Sequence, residues 1–279
     1  MTFNSRHKNR DSNLSNARDL LLNNILNDLK SDPEVIGIYL SGSLAKENYD
    51  KYSNIDIHVV VKKDSRDTFI NNKFERPKRW GEILFYEKVN PRRPVAVVHF
   101  KSFIKVDTWF HSLEEIKPTI WLSGSRVLYD PKNLIQPVLD ESQNIKYQVT
   151  PDEVDQWRGK IFAYIHEVYR SVMRGELYYA ISMLNSFRWQ MARGWHMEMG
   201  IRVDSGSGVW SKVEGARSPL KQWQGDLLTS WHCQLEKVEV MKTLTRMTPE
   251  FLKLHHSLCE MTGLEKREEW CEDVINTVL

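Results

Sequence analysis

Residues Tyr39 to Val61, YLSGSLAKENYDKYSNIDIHVVV, read as the end of a strand, a Gly-Ser turn, the start of a short helix and a second strand. A strand that runs through Gly-Ser into a helix start exposes backbone N–H groups; glycine allows close approach and serine adds a hydroxyl donor. Gly42 and Ser43 are therefore a candidate phosphate cradle, against the plainer alternative of a dipeptide that only turns the chain. Alternation along the second strand places Asn54, Asp56 and His58 on one face and Ile55, Ile57 and Val59 on the other. The apolar set is expected to face the core. An acid set into a strand across from a phosphate-sized turn is also what a Mg²⁺ site needs.

Working outward, NLSNARDLLLNNILNDLK places Leu14, Leu20, Leu21, Ile25, Leu26 and Leu29 largely on one helical stripe, and VIGIYLS reads as a buried strand. Further strands are expected over Ile55 to Val61, Glu82 to Glu87, Val95 to Phe100 and Phe103 to Phe110. The last of these carries a second acid, Asp107, with Phe103, Lys105 and Trp109 on its face.

The texture changes near residue 150. Thr150, Pro151 and Glu153 form a capping-box helix start, and two long helical patterns follow, divided at Arg174-Gly175. After a loop over RVDSGSGVWSKVEGARSP come three shorter helices, the last opening at Thr248-Pro249. The expected organisation is α+β: a mixed-sheet domain over 1–148, then a helical bundle over 149–279. The helically spaced tryptophans of the second part are expected to serve the core.

With 279 residues, 41% of them apolar, the chain can bury a real core. A net charge of +2 demands no polyanionic partner, and the absence of an interleaved basic and aromatic patch disfavours nucleic acid. Cys233, Cys259 and Cys271 form no CxxC or His/Cys metal pattern and read as reduced structural thiols. No signal-peptide pattern or run of about 18 apolar residues is present, so a cytoplasmic, membrane-free protein is expected.

GSLAKENYDKYSNIDIHVVV resembles the signature of the nucleotidyltransferase superfamily that shares the DNA polymerase β palm: Gly-Ser, a short helix, then a strand bearing Asp-x-Asp. KVDTWF resembles its later strand with a third acid, and WLSGSRVLYDP followed by helices is similar to the antibiotic (aminoglycoside or lincosamide) nucleotidyltransferases. The resemblance implies that Gly42 and Ser43 hold nucleotide phosphates, that Asp56 and Asp107 are metal ligands for Mg²⁺ or Mn²⁺, and that Lys46 falls where a basic residue is common. The implied reaction moves a nucleoside monophosphate, AMP from ATP, onto a hydroxyl of a small molecule and releases pyrophosphate.

The chain departs from that signature at Asn54, which occupies the place of the first acid. An amide oxygen still coordinates, but it is a poorer ligand for a hard cation than a carboxylate. A catalytically weak or inactive nucleotide-binding regulator with a degenerate metal site is thus the alternative reading. His58 extends the candidate ligand set, and Asp50 is a stand-in for the absent acid; an outward polar residue and a solvated loop aspartate are their plainer readings. For the base near the acceptor hydroxyl the candidates are Asp107 and Glu167, the latter competing with a helical ion pair to Arg170. Arg188 is a candidate phosphate contact on a helix. Acidic residues around an acceptor would favour a cationic antibiotic; aminoglycosides, lincosamides and other metabolites all stay open.

Overall fold

The computed structural model describes residues 6–87, 90–203 and 206–279. The chain forms two compact units, Met1–Lys146 and Tyr147–Leu279.

In chain order the first unit contains α1 (Lys8–Ser12), α2 (Leu14–Lys30), β1 (Val35–Leu40), α3 (Gly42–Ala45), β2 (Ile55–Val61), α4 (Arg66–Asn71), β3 (Ile83–Tyr86), β4 (Val95–Phe100), β5 (Lys105–Ser112), β6 (Arg126–Tyr129) and α5 (Gln136–Gln143). The strands form one mixed sheet in the order β3-β4-β5-β2-β1-β6. β2 and β5 run parallel, and the other neighbours are antiparallel. Alternation sorts the two faces as the sequence reading expects. Ile55, Ile57 and Val59 join Leu14, Leu21, Ile25 and Leu29 of α2 in one apolar core. On the opposite face, Tyr39 and Val60 pack with Ile116, Ile135 and Leu139 in a smaller cluster, so that this face is apolar at one end and polar at the other.

Three local expectations change. Leu20 points outward, 64% exposed, because the buried stripe of α2 runs through Leu14, Arg18, Leu21, Ile25 and Leu29. Phe103 is not a strand residue: it sits at φ +68° in the tight β4–β5 connection, where its N–H donates to the Phe100 carbonyl, and β5 begins two residues later. Asn54 precedes β2, whose ladder to β5 starts at the Ile55–Val106 pair.

The second unit contains α6 (Pro151–Arg174), α7 (Leu177–Glu198), α8 (Gly206–Trp210), α9 (Gln222–Ser230), α10 (Lys237–Thr262) and α11 (Glu268–Asn276). Thr150 and Glu153 cap α6 reciprocally, and Gly175, at φ +77°, ends it in the left-handed conformation that glycine adopts without a Cβ penalty. The core gathers Trp157, Ile161, Phe187, Trp195, Trp231, Leu244 and Phe251, so three of the tryptophans are interior; Trp223 and Trp270 remain exposed. The expected break at Thr248-Pro249 does not occur, since Pro249 lies inside the continuous α10. Buried residues recur on both sides of it, from Val240 and Leu244 to Phe251, Leu254 and Leu258, and this unbroken stripe outweighs the lost backbone hydrogen bond. The expected loop over 202–219 includes α8 and a 3₁₀ turn at Gly215–Arg217; its residues 204 and 205 lie outside the described set. All three cysteines are free.

Candidate active site

The polar end of the sheet face is built by register. In the parallel β2–β5 ladder Asp56 pairs with Asp107 and His58 with Trp109, so residues 51 positions apart become neighbours. Antiparallel pairing adds Val97 beside Asp107 and His99 beside Lys105. Where β1 ends, the Ser41 N–H donates to the Asp56 carbonyl (3.0 Å), which brings the Gly-Ser turn against the same acid. Gly42 has φ +68°, and a Cβ there would collide with the Asp56 carboxylate. Glycine is thus required twice over, by conformation and by space.

The two acids are crowded and only partly solvated. Burial, and after it the neighbouring Asp107 carboxylate, push the Asp56 pKa up to about 6. Burial likewise raises that of Asp107, against the opposing effect of Lys105. The Lys105 Nζ lies 3.0 Å from Asp107 Oδ2, whereas Asp107 Oδ1 is buried with no hydrogen-bond partner. An acceptor orphaned in this way beside a second carboxylate suits an oxygen-seeking cation; Mg²⁺ in particular is held by one or two carboxylates together with substrate phosphates. Among the described residues there is no cluster of three or more His, Cys, Asp or Glu side chains able to hold a metal, so a cation here would rely on these two acids and on non-carboxylate oxygens.

His58 does not extend that set, because both of its ring nitrogens are engaged. Nδ1 is 3.0 Å from His111 Nε2 and Nε2 is 2.9 Å from the Ser41 hydroxyl. The ring stacks on Tyr39 at 4.5 Å between centroids, with Trp109 on the neighbouring strand. Burial drives the His58 pKa down to about 3, so the imidazole is neutral and ties the residue before Gly42 to the sheet. Asp50 belongs to its own turn, where Oδ1 accepts from the Tyr52 N–H and the Ser53 hydroxyl. The buried Arg18 donates to the Asp50 carbonyl at 2.7 Å and anchors the loop that leads into β2.

Lys46, at the end of α3, is exposed, and its stem lies against Gly124. Arg126 of β6 reaches the Leu44 carbonyl of α3 at 3.4 Å and adds a cation that the sequence reading did not single out. Lys105, noted there only as sharing a face with Asp107, proves to be its ion partner. The Ser41–His58–His111 chain carried no sequence signal beyond alternation within each strand.

Glu167 and Arg188 belong to the helical unit. Glu167 on α6 binds Arg170 at 2.6 Å, the i,i+3 pair. Arg188 on α7 donates through Nη2 to the Trp231 carbonyl, while its Nε is buried without a partner. It lines a pocket of about 400 Å³ together with Asn185, Trp210, Glu214, Thr229 and His232.

The model of the streptomycin adenylyltransferase family matches residues 16–278, almost the whole chain. The protein belongs to the streptomycin adenylyltransferase family. Membership makes it an antibiotic nucleotidyltransferase-like protein. Among solved structures it is similar to an aminoglycoside 6-adenyltransferase from Bacillus subtilis, with 15% identity, a TM-score of 0.44, and 92% of this chain and 95% of that one covered. It is also similar to a nucleotidyltransferase-like protein from Exiguobacterium sibiricum 255-15, with 12% identity, a TM-score of 0.42, and coverage of 86% and 77%. A comparison with curated proteins returned no match. Among the described residues no helix is long and apolar enough to cross a membrane.

Proposed function

We propose that this adenylyltransferase-family protein is a cytoplasmic, metal-assisted enzyme that moves AMP from ATP onto a hydroxyl of a small, cationic antibiotic-like acceptor. The observation that carries this reading is the register pairing of Asp56 with Asp107 beside Gly42, whose missing side chain leaves room at the Asp56 carboxylate. Backbone amides at Gly42 and Ser43, with the Ser43 hydroxyl, would hold the triphosphate; Lys46 would add a positive charge near it. Asp56, Asp107 and the amide oxygen of Asn54 would hold Mg²⁺ or Mn²⁺, which when bound neutralises the triphosphate and lowers the pKa of the attacking hydroxyl.

In the step itself the acceptor oxygen forms a bond to the α-phosphorus of ATP, the bond from that phosphorus to the bridging oxygen breaks, and pyrophosphate leaves. The hydroxyl proton goes to a carboxylate. Asp107 is the first candidate, because burial raises its proton affinity and each carboxylate oxygen has two lone pairs, so sharing a cation does not remove it from proton transfer. Glu167 is the second candidate, with its carboxylate held by Arg170. Arg188, which lines the pocket of the helical unit, is the candidate phosphate contact there.

The test is pyrophosphate release from ATP, with and without Mg²⁺ or Mn²⁺, over a panel of aminoglycosides (streptomycin included) and lincosamides, comparing wild type with Asp56→Ala. Metal-dependent release that needs Asp56 and one acceptor supports the reading and names the substrate. ATP binding without turnover supports the alternative of a nucleotide-binding regulator, which Asn54 favours; absence of ATP binding overturns both. Asn54→Asp separates the two further, since a large gain of activity marks a degenerate site and no gain or a loss marks a working one.

A further inference from the structure

The charge at the polar end of the sheet is unusual for a site that would clamp two cations. Lys105 and Asp107 lie two residues apart on β5 and therefore share a face, with Nζ 3.0 Å from Oδ2. The pair is not a loose surface contact, for the two side chains are only 26% and 19% exposed and both residues sit in the strand ladder, paired with His99 and Val97 of β4. The two oxygens of Asp107 thus differ: Oδ2 is taken by an ammonium, while Oδ1 is buried and unbonded on the acid paired with Asp56. Immediately before β2, position 54 is an asparagine, a neutral amide rather than an acid.

We propose that Lys105 is a built-in counter-cation of Asp107, and that the site consequently takes up one divalent cation, between Asp56 and Asp107 Oδ1, rather than two. This inference rests on the metal-assisted reading above and deepens it. Two divalent ions about 4 Å apart repel with four times the energy of two unit charges, and two-metal sites offset this with clustered carboxylates. Here Asp56 and Asp107 less the Lys105 ammonium leave a single net negative charge, and Glu87, the further carboxylate that acts on Asp107, is held by His99 at 2.9 Å; without nucleotide this favours one hard cation over two. A lysine ammonium is a compact point charge and so neutralises one carboxylate oxygen without occupying the other. On this view Asn54 and Lys105 are matched: a carboxylate at 54 would serve a second cation that Lys105 makes unnecessary.

The experiment is a Mn²⁺ titration of the full chain followed by electron paramagnetic resonance, with Mn²⁺ alone as the probe. Wild type is expected to bind one Mn²⁺ per chain, and Asp56→Ala to abolish it. Lys105→Met, which keeps the aliphatic stem and removes the charge, is expected to tighten binding at least about tenfold or to open a second site. Lys105→Arg keeps the charge but presents a fork that reaches both carboxylate oxygens, so it should bind no more tightly than wild type; a lysine with a merely structural role would make Lys105→Met weaken binding. Two Mn²⁺ per wild-type chain, or Asp56-dependent binding that Lys105→Met leaves unchanged or weakens, overturns the inference alone. No Mn²⁺ binding, or binding that survives Asp56→Ala, overturns it together with the metal-assisted reading.

Discussion

Asp56 and Asp107 are register partners on the parallel strands β2 and β5, and burial together with their mutual repulsion raises the proton affinity of Asp56. With a folded pKa of about 6 against 3.8 for an ordinary aspartate, the folded state binds this proton more tightly than the unfolded chain does. The associated stability is present below about pH 4 and is lost as pH rises through about 6. Removing the carboxylate with Asp56→Asn should therefore shift stability in the variant's favour by up to about 3 kcal/mol between pH 4 and pH 7. Urea unfolding of both proteins in a chelator across that range measures the difference; a pH-independent gap would contradict the shift.

Gly42 is the second point of leverage. An alanine there would meet both a left-handed backbone and the Asp56 carboxylate. Gly42→Ala is expected to cost about 1–3 kcal/mol of stability and to weaken ATP binding at least about tenfold. Equilibrium dialysis with ATP beside a urea curve separates the two losses, and wild-type behaviour in both would show that the turn adapts.

The neutral His58 imidazole joins Ser41 to His111 and stacks on Tyr39. Its removal in His58→Ala strands two polar partners and leaves a gap in the stack, at an expected cost of about 2–4 kcal/mol. A double-mutant cycle with Ser41→Ala should show coupling of about 0.5–2 kcal/mol, read from chemical denaturation. Strict additivity would mean that the hydrogen bond contributes nothing to the hold on the turn.

In the helical unit, Pro249 interrupts the backbone ladder of α10 without ending the helix. Pro249→Ala restores a donor and relieves the ring's clash with the preceding turn, offset in part by greater freedom of the unfolded chain. A net gain of about 1–2 kcal/mol is expected. Calorimetry would reveal it as a raised Tm, and a lowered Tm would mean that the proline sets a bend the packing needs.

Much of this fold was legible because its signals are local. Two-residue alternation exposed β2 and β5 with Asp56 and Asp107 on their polar faces, and the Thr150–Glu153 capping box and Gly175 marked the ends of α6. The same locality explains what was missed. β6 and α5 carry weak patterns of their own, and the helix start expected at Thr248-Pro249 gave way to a stripe of core contacts running the length of α10.

By itself the sequence determined which residues have the chemistry: a glycine able to turn and make room, two acids on strands, and an amide where a third acid is usual. Only the tertiary structure decided which of them meet. Parallel pairing of β2 with β5 brought Asp56 to Asp107, and His58 spent both ring nitrogens on Ser41 and His111. The physical reason is that alternation is a property of each strand's own backbone, whereas register is chosen by the burial of whole sheet faces, a free energy shared by residues far apart in the chain.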